Sequence, residues 1–193
     1  MDEDLIRRSQ AGDAAAFAAL FHQYKNLVYR TSFLMLGDAG DAEDALQEVF
    51  VQVYRGLAAF DPRKAAFTTW LHRITVNHCL NRRRTRRIVA LPFDGIEPLA
   101  AHGPSLEDAL GEDEALHAAL ALLSDKLRAV VVLRYGRDLS YQEIADVLDI
   151  PVGTVKSRMD LALKNLRGLL DPAANLRAPT PRALSPKGAT YDV

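Results

Sequence analysis

The sequence has few of the residues that build disulfides, metal sites or membrane spans. Among its 193 residues is one cysteine, Cys79, which cannot form an internal disulfide, and no Cys or His pair has zinc-site spacing. The longest apolar runs, such as residues 129–133, are too short to cross a bilayer. The first four residues, MDED, are acidic, whereas a secretory signal begins with basic residues. We therefore expect a cytoplasmic protein with no membrane insertion, no metal and no cofactor.

Charge is nearly balanced overall, at −1, but it is unevenly distributed. Residues 88–120 contain seven Asp or Glu and no Lys or Arg, whereas residues 1–87 contain 13 basic and 10 acidic side chains. Residues 121–170 contain eight basic and six acidic side chains. The central block would repel a phosphate backbone and its neighbours would attract one weakly. Net charge therefore neither indicates nor excludes nucleic-acid binding. The local placement of cations is the more informative property.

The apolar pattern predicts an all-α protein. Apolar residues recur every three or four positions in three segments, which predicts three helices. The first includes residues 17–28, the second begins after an N-cap at Asp41, and the third covers about 65–86. No segment shows the alternation of a strand. We expect a helix bundle in residues 1–87, a flexible acidic linker in 88–106, where Pro and Gly recur, and a second helical domain in 107–170. The Pro- and Ala-rich tail 171–193 is expected to be disordered.

Residues 141–159, YQEIADVLDIPVGTVKSRM, have the pattern of a helix-turn-helix. Ser140 and Glu143 have the spacing of a capping box, and Asp149, which tolerates a left-handed backbone, stands in the turn. An ordinary helical hairpin with a solvated polar face is the alternative, but the coincidence of these signals favours DNA binding. The second helix begins with polar residues suited to base edges and phosphates: Thr154, Lys156, Ser157 and Arg158.

A second group of possible nucleic-acid ligands lies in the third helix. Aromatic rings stack on unpaired bases, amides bind base edges, and guanidinium groups neutralise phosphates. A solvated basic helix end explains the arginine run equally well, because cations near a helix C-terminus complement its dipole. The residues in question are Trp70, Asn77, Asn81, Arg82, Arg83, Arg84, Arg86 and Arg87.

Two other clusters invite a metal or enzyme interpretation. Acidic residues 41, 43, 44 and 48 lack a neighbouring His, and a helix start with a solvated face accounts for them better than a metal does. His72 and His78 are six residues apart, which does not place them on one helical face, so we interpret them as structural or surface residues. We find no convergent acid–base or nucleophile set, and we expect no enzymatic activity.

Three motifs, in order, resemble those of extracytoplasmic-function (ECF) sigma factors of bacterial RNA polymerase: DAEDALQEVFVQVY (41–54), FTTWLHRITVNHCLNRRRTRR (67–87) and LSYQEIADVLDIPVGTVKSR (139–158). The resemblance implies a non-enzymatic protein that binds core polymerase, through its β′ clamp helices and its β subunit, and helps to open promoter DNA. It also implies a region 2-like domain at 1–87 and a region 4-like domain at 107–170. Whether an anti-sigma factor is a further partner is left open.

The resemblance also assigns roles to residues. Asn77 and Asn81 would hold a flipped base of the minus-ten element, with Trp70 near the melted edge and the arginines on the backbone. The four polar residues of the helix-turn-helix would bind the minus-thirty-five element, although Asp160 stands where many relatives carry a basic or aromatic residue. Core polymerase would contact Asp41, Asp44, Gln47, Glu48 and Phe50.

The main alternative is a helix-turn-helix transcription regulator that acts without core polymerase. Response-regulator output domains carry a very similar EIA…TVKS hairpin. That architecture places a parallel-sheet receiver in the first half, and the helical pattern of residues 1–87 argues against it. A small interaction protein is a third possibility if the basic and Trp-bearing faces are ordinary surface.

Overall fold

A computed structural model of the protein describes residues 2–89 and 112–170, and all regular elements in these two ranges are helical. The all-α prediction is confirmed there. The predicted linker, except its first two residues, and the predicted tail lie outside the described residues. The helices are α1 (Asp2–Gln10), α2 (Ala14–Leu36), α3 (Ala39–Gly56), α4 (Phe67–Val89), α5 (Glu112–Leu122), α6 (Asp125–Tyr135), α7 (Tyr141–Leu148) and α8 (Val152–Leu170), with a 3₁₀ turn at Leu57–Ala59.

The junction between α2 and α3 corrects one prediction. Gly37 ends α2 in the left-handed conformation, at φ 81°, and Asp38 follows in extended backbone as the N-cap of α3. The expectation that Asp41 caps this helix is wrong, because the glycine stops α2 abruptly and lets α3 begin three residues earlier, with Asp38 as its cap. Asp41 instead lies in the first turn, where its backbone N–H donates to Asp38 Oδ1 at 2.8 Å.

Helices α1 to α4 pack around an aromatic-rich core. Leu20, Val49 and Leu71 are fully buried at its centre. The ring of Phe60, in the loop before α4, lies 5.7 Å from that of Phe67 and 4.9 Å from that of Trp70. Such contacts add to the burial of apolar area, and they fix the loop 60–66 against the start of α4.

The two halves of the chain share a second apolar core. Buried residues of α2 and α4, such as Met35 and Val76, belong to the same cluster as Leu133 of α6 and Ile144 of α7. A Cβ atom on Gly136 would lie 2.7 Å from the Val132 carbonyl oxygen and 2.8 Å from Leu34 Cδ1, so a larger residue at the end of α6 would require a shift of the chain or of Leu34. The halves are therefore held together by continuous packing in this structure.

Three arginines add polar links across the same junction. Arg128 of α6 is 1% exposed and donates from Nη1 to the Met35 carbonyl at 2.8 Å. Burial, and then the nearby Arg83, lower the pKa of Arg128 to about 10. Arg83 donates to Asp125 at 2.5 Å, and Arg73 donates to the backbone carbonyl of Asp146 in α7. The predicted basic helix thus supplies two of the three links to the second half.

Candidate nucleic-acid interfaces

The helix-turn-helix has the predicted geometry. The Ser140 hydroxyl accepts from the Glu143 N–H at 3.2 Å, and the Glu143 carboxylate accepts from the Ser140 N–H at 2.8 Å, so the capping box is confirmed. Asp149 ends α7 in the left-handed conformation, at φ 54°. Val155 of α8 is fully buried in the shared core, which turns the opposite face of α8 outward.

The polar start of α8 is accessible. Lys156 and Ser157 are exposed, and Thr154 and Arg158 are half-buried. In the described part of the chain, neither Lys156 nor Arg158 has a carboxylate within 4 Å. These two cations are consequently available to phosphate, and Asp160 on the same helix partly offsets them.

A separate cleft of about 710 Å³ runs along α4. Asn77 and Asn81, one helical turn apart, line it together with Arg82 and Arg86, and both amides are exposed. Four of the predicted minus-ten residues therefore lie in one cleft, with hydrogen-bonding groups and cations on the same wall. This arrangement suits an unpaired base and its backbone.

The cleft is also lined by two residues that the sequence analysis did not select as candidate nucleic-acid contacts. Gln52 of α3 and His78 of α4 line it, with the Gln52 amide nitrogen 3.1 Å from His78 Nδ1. Burial lowers the pKa of His78, which favours a neutral ring. Gln52 belongs to a different helix from the asparagines, so periodicity within α4 alone contains no signal for it.

Trp70 lies in a neighbouring cleft of about 770 Å³. This cleft is bounded on one side by the loop residues Phe60 and Lys64 and on the other by α7 and the turn at Asp149. Arg73 lines both clefts. Trp70 is thus adjacent to the two asparagines without lining their cleft.

The arginine run divides around α4. Arg82 and Arg86 face α3, Arg83 faces α6, and Arg84 is exposed. Arg87 lies on the same helix, but its side chain is outside the described part of the structure. The four arginines whose side chains the structure describes therefore do not form one continuous cationic surface.

Carboxylates of α3 neutralise two of the three arginines that line the asparagine cleft, Arg82 and Arg86. Arg82 Nη2 lies 2.8 Å from Asp41 and 2.9 Å from Asp44, and Arg82 Nη1 lies 3.7 Å from Glu48. Arg86 donates to Asp41 at 2.5 Å. The hydrogen bond that Arg82 donates to Asp44, with the bond to Asp41 also contributing, raises the pKa of Arg82. Three predicted polymerase contacts, Asp41, Asp44 and Glu48, therefore form ion pairs with two predicted DNA contacts, Arg82 and Arg86.

The predicted polymerase contacts differ in accessibility. Asp44, Gln47 and Glu48 are exposed on α3. Phe50 is 4% exposed and packs edge-on against Phe21, at 4.7 Å between ring centres. Asp41 is 5% exposed and is held by the arginines of α4. In this conformation the two buried residues stabilise the helix packing beneath the accessible three.

His72 makes acid sensitivity an expected property of this fold. It is 3% exposed, its Nδ1 has no hydrogen-bond partner in the described residues, and Arg137 and Glu143 of the second half face it. Burial, and then Arg137, lower its pKa to about 4 from an ordinary value of 6.5. Well above pH 6.5 the ring is neutral in both the folded and the unfolded state. As the pH falls from 6.5 to 4 the unfolded chain takes up the proton first, so the free energy of unfolding decreases by about 3 kcal/mol.

Urea unfolding of the wild type and of His72→Leu between pH 7.5 and 4.5 measures this contribution. The wild type is expected to lose more stability than the variant over that range, because the other titrating groups are common to both. A control variant, His22→Leu, changes an exposed ring and should follow the wild-type curve. Parallel curves for the wild type and the His72 variant would contradict the assignment.

Helix length and hydropathy bear on membrane insertion. None of the helices within residues 2–89 and 112–170 is long and apolar enough to span a membrane.

Comparisons with known proteins identify the same two segments. Residues 20–88 match the family described as Sigma-70 region 2, and residues 119–168 match Sigma-70, region 4. The chain is 33% identical over 174 residues to the ECF RNA polymerase sigma factor SigW of Bacillus subtilis, covering 84% of this chain and 92% of that protein. It is 35% identical over 180 residues to the ECF RNA polymerase sigma factor SigM of Mycobacterium tuberculosis, covering 91% and 89%.

Solved structures agree in fold. CnrH, solved in complex with the cytosolic domain of CnrY, matches with a TM-score of 0.66 at 26% identity, over 88% of this chain and 96% of CnrH. The sigma factor RpoE of Bartonella quintana, solved with the anti-sigma factor NepR, matches with a TM-score of 0.62 at 22% identity, over 80% and 96%. The arrangement of helices described above is thus one that solved proteins adopt.

Proposed function

The chain belongs to the extracytoplasmic-function subgroup of bacterial RNA polymerase sigma factors, and on that premise we propose which of its surfaces performs each step of initiation. As a member of this subgroup it binds core RNA polymerase and directs promoter-specific transcription initiation, and it is not an enzyme. A regulator acting without polymerase is not favoured. The assignments that follow concern individual residues.

The polymerase-binding surface is the exposed acidic face of α3. Asp44, Gln47 and Glu48 are accessible there, and their charge suits a basic partner surface on the β′ clamp helices. Asp41 and Phe50 are buried and support this surface indirectly. Asp41 binds the arginines of α4, and Phe50 packs α3 against α2.

The minus-ten element binds in the cleft along α4. Asn77 and Asn81 read an extruded base, Arg82, Arg83, Arg84, Arg86 and Arg87 serve the backbone, and Trp70 supports the edge of the melted region. The observation that carries this proposal is the placement of both exposed amides in one cleft with three arginines, of which Arg82 and Arg86 belong to the run. An extruded base requires a polar edge to bind and a cation near its phosphate.

The minus-thirty-five element binds at the start of α8. Thr154, Lys156, Ser157 and Arg158 lie at the N-terminal end of this helix, which is the end that meets base edges in helix-turn-helix proteins. We assign polymerase binding and the recognition and melting of the minus-ten element to residues 1–87, and recognition of the minus-thirty-five element to residues 107–170. We place the protein in the cytoplasm with its polymerase. An anti-sigma protein is a further candidate partner.

Reconstitution with core RNA polymerase on genomic fragments tests the proposal. Transcripts that start at discrete promoters and depend on this chain are the expected result. Tight binding of the chain alone to an operator, with no polymerase-dependent transcript, would contradict it and favour the alternative regulator.

A further inference from the structure

Arg73 occupies a position that the arginine run does not. It precedes Asn77 by one helical turn and Asn81 by two, so the three residues lie on the same face of α4. Its side chain is exposed and lines both the asparagine cleft and the cleft that contains Trp70. No other arginine of the described chain lines both clefts.

The charges around Arg73 also distinguish it. Arg82 and Arg86 are paired with Asp41, and Arg83 is paired with Asp125, so a carboxylate already offsets the charge and takes up part of the donor capacity of each. Arg73 has no carboxylate within 4 Å in the described residues.

Its guanidinium donates to a backbone carbonyl, that of Asp146. The carboxylate of Asp146 is bound separately, by the Gln142 amide at 3.1 Å. Exchanging a neutral carbonyl for a phosphate oxygen strengthens a hydrogen bond, whereas exchanging one anion for another gains little.

We propose that Arg73 is a further phosphate-binding residue of the minus-ten interface, beside the arginine run, positioned to hold the strand whose base enters the Asn77–Asn81 cleft. The proposal rests on the function proposed for that cleft. It adds a contact on the Trp70 side of the asparagines, so the strand would run from the arginine end of α4 towards the loop 60–66. Because the same guanidinium holds Asp146, the bound strand and the closed junction between the halves compete for Arg73.

The test uses the reconstituted holoenzyme and a labelled single-stranded oligonucleotide with the minus-ten segment of a promoter mapped in that system. We expect Arg73→Ala to weaken binding about tenfold at low salt, the size of a hydrogen bond to a charged group. The slope of log K against log salt should become less negative by about 0.7, the value for one phosphate contact on a single strand. Arg73→Lys keeps the charge and should keep the slope.

A matched control is Arg55→Ala, which removes an exposed arginine from the last turn of α3, outside both clefts. It should leave both affinity and slope unchanged. Weaker binding of the Arg73→Ala holoenzyme with an unchanged salt slope would overturn the proposal, because it would mean that Arg73 acts through the fold alone.

The asparagines give an independent result, so the two proposals can fail separately. Replacing Asn77 by alanine should change the preferred base and leave the salt slope as in the wild type. If base preference survives that change while the slope still depends on Arg73, the base-reading assignment fails and the phosphate contact stands. If base preference does not depend on Asn77 and the salt slope does not depend on Arg73, both assignments fail.

Discussion

Replacing both Asn77 and Asn81 by alanine is expected to abolish promoter opening without loss of polymerase binding. A side-chain amide that binds a base edge contributes about 1–3 kcal/mol to discrimination, so losing two should reduce open-complex formation at least about 30-fold. The fold should tolerate the change. Both side chains are exposed, neither makes a hydrogen bond within the described residues, and alanine is the better helix former.

Reactivity of unpaired thymines in the promoter measures opening, and fluorescence anisotropy of the labelled chain measures its affinity for core polymerase. Asn26→Ala makes the same chemical change on an exposed position of α2 and should affect neither quantity. Normal opening by the double variant would remove these asparagines from the base-reading role. A parallel loss of polymerase binding would show that the defect is not specific to DNA.

The second large effect concerns stability, and it tests whether the two halves unfold together. Leu133 is fully buried in the core that both halves share. Leu133→Ala should lower the free energy of unfolding by about 3 kcal/mol, through lost burial and the cavity it leaves. Because the core is continuous, this change in the second half should also destabilise the first.

Trp70 is the single tryptophan of the chain and lies in the first half, so its fluorescence reports that half. In urea unfolding of the Leu133→Ala variant, the midpoint of the Trp70 fluorescence change should shift to lower urea together with the midpoint of the helical circular dichroism signal. The control Leu161→Ala, at a half-exposed position of α8, should shift either midpoint only slightly. An unchanged Trp70 midpoint in the Leu133 variant would mean that the halves unfold independently.

Local patterns predicted much of this structure. The Ser140–Glu143 capping box and the left-handed Asp149 depend on residues close in sequence, and both are confirmed. The two asparagines were selected from the sequence as base-edge contacts of this helix, and their amides do line one cleft. These features were accessible because helix caps, turns and helical faces are determined within a few residues.

Contacts between distant helices were not predicted. The pairing of Asp41 with Arg82 joins residues 41 positions apart, and no periodicity indicates which carboxylate meets which arginine. Gln52 of α3 lines the asparagine cleft, and the sequence gives no signal for this because the cleft is formed between two helices. The shared core was also missed, because an apolar stripe predicts that a face is buried and not which helix covers it. Asp41 was misplaced as a cap because Asp38 offers the same chemistry three residues earlier.

The ion pairs of Arg82 and Arg86 have a consequence for how the chain is distributed in a cell. A chromosome offers an enormous excess of non-promoter sites, and a protein with several unpaired arginines on one helix would spend most of its time on them. Here three carboxylates of α3 lie against two of those arginines, and the whole chain has a charge of −1. We expect the unassembled protein to remain largely off the chromosome, so that nearly all of it stays available to capture polymerase.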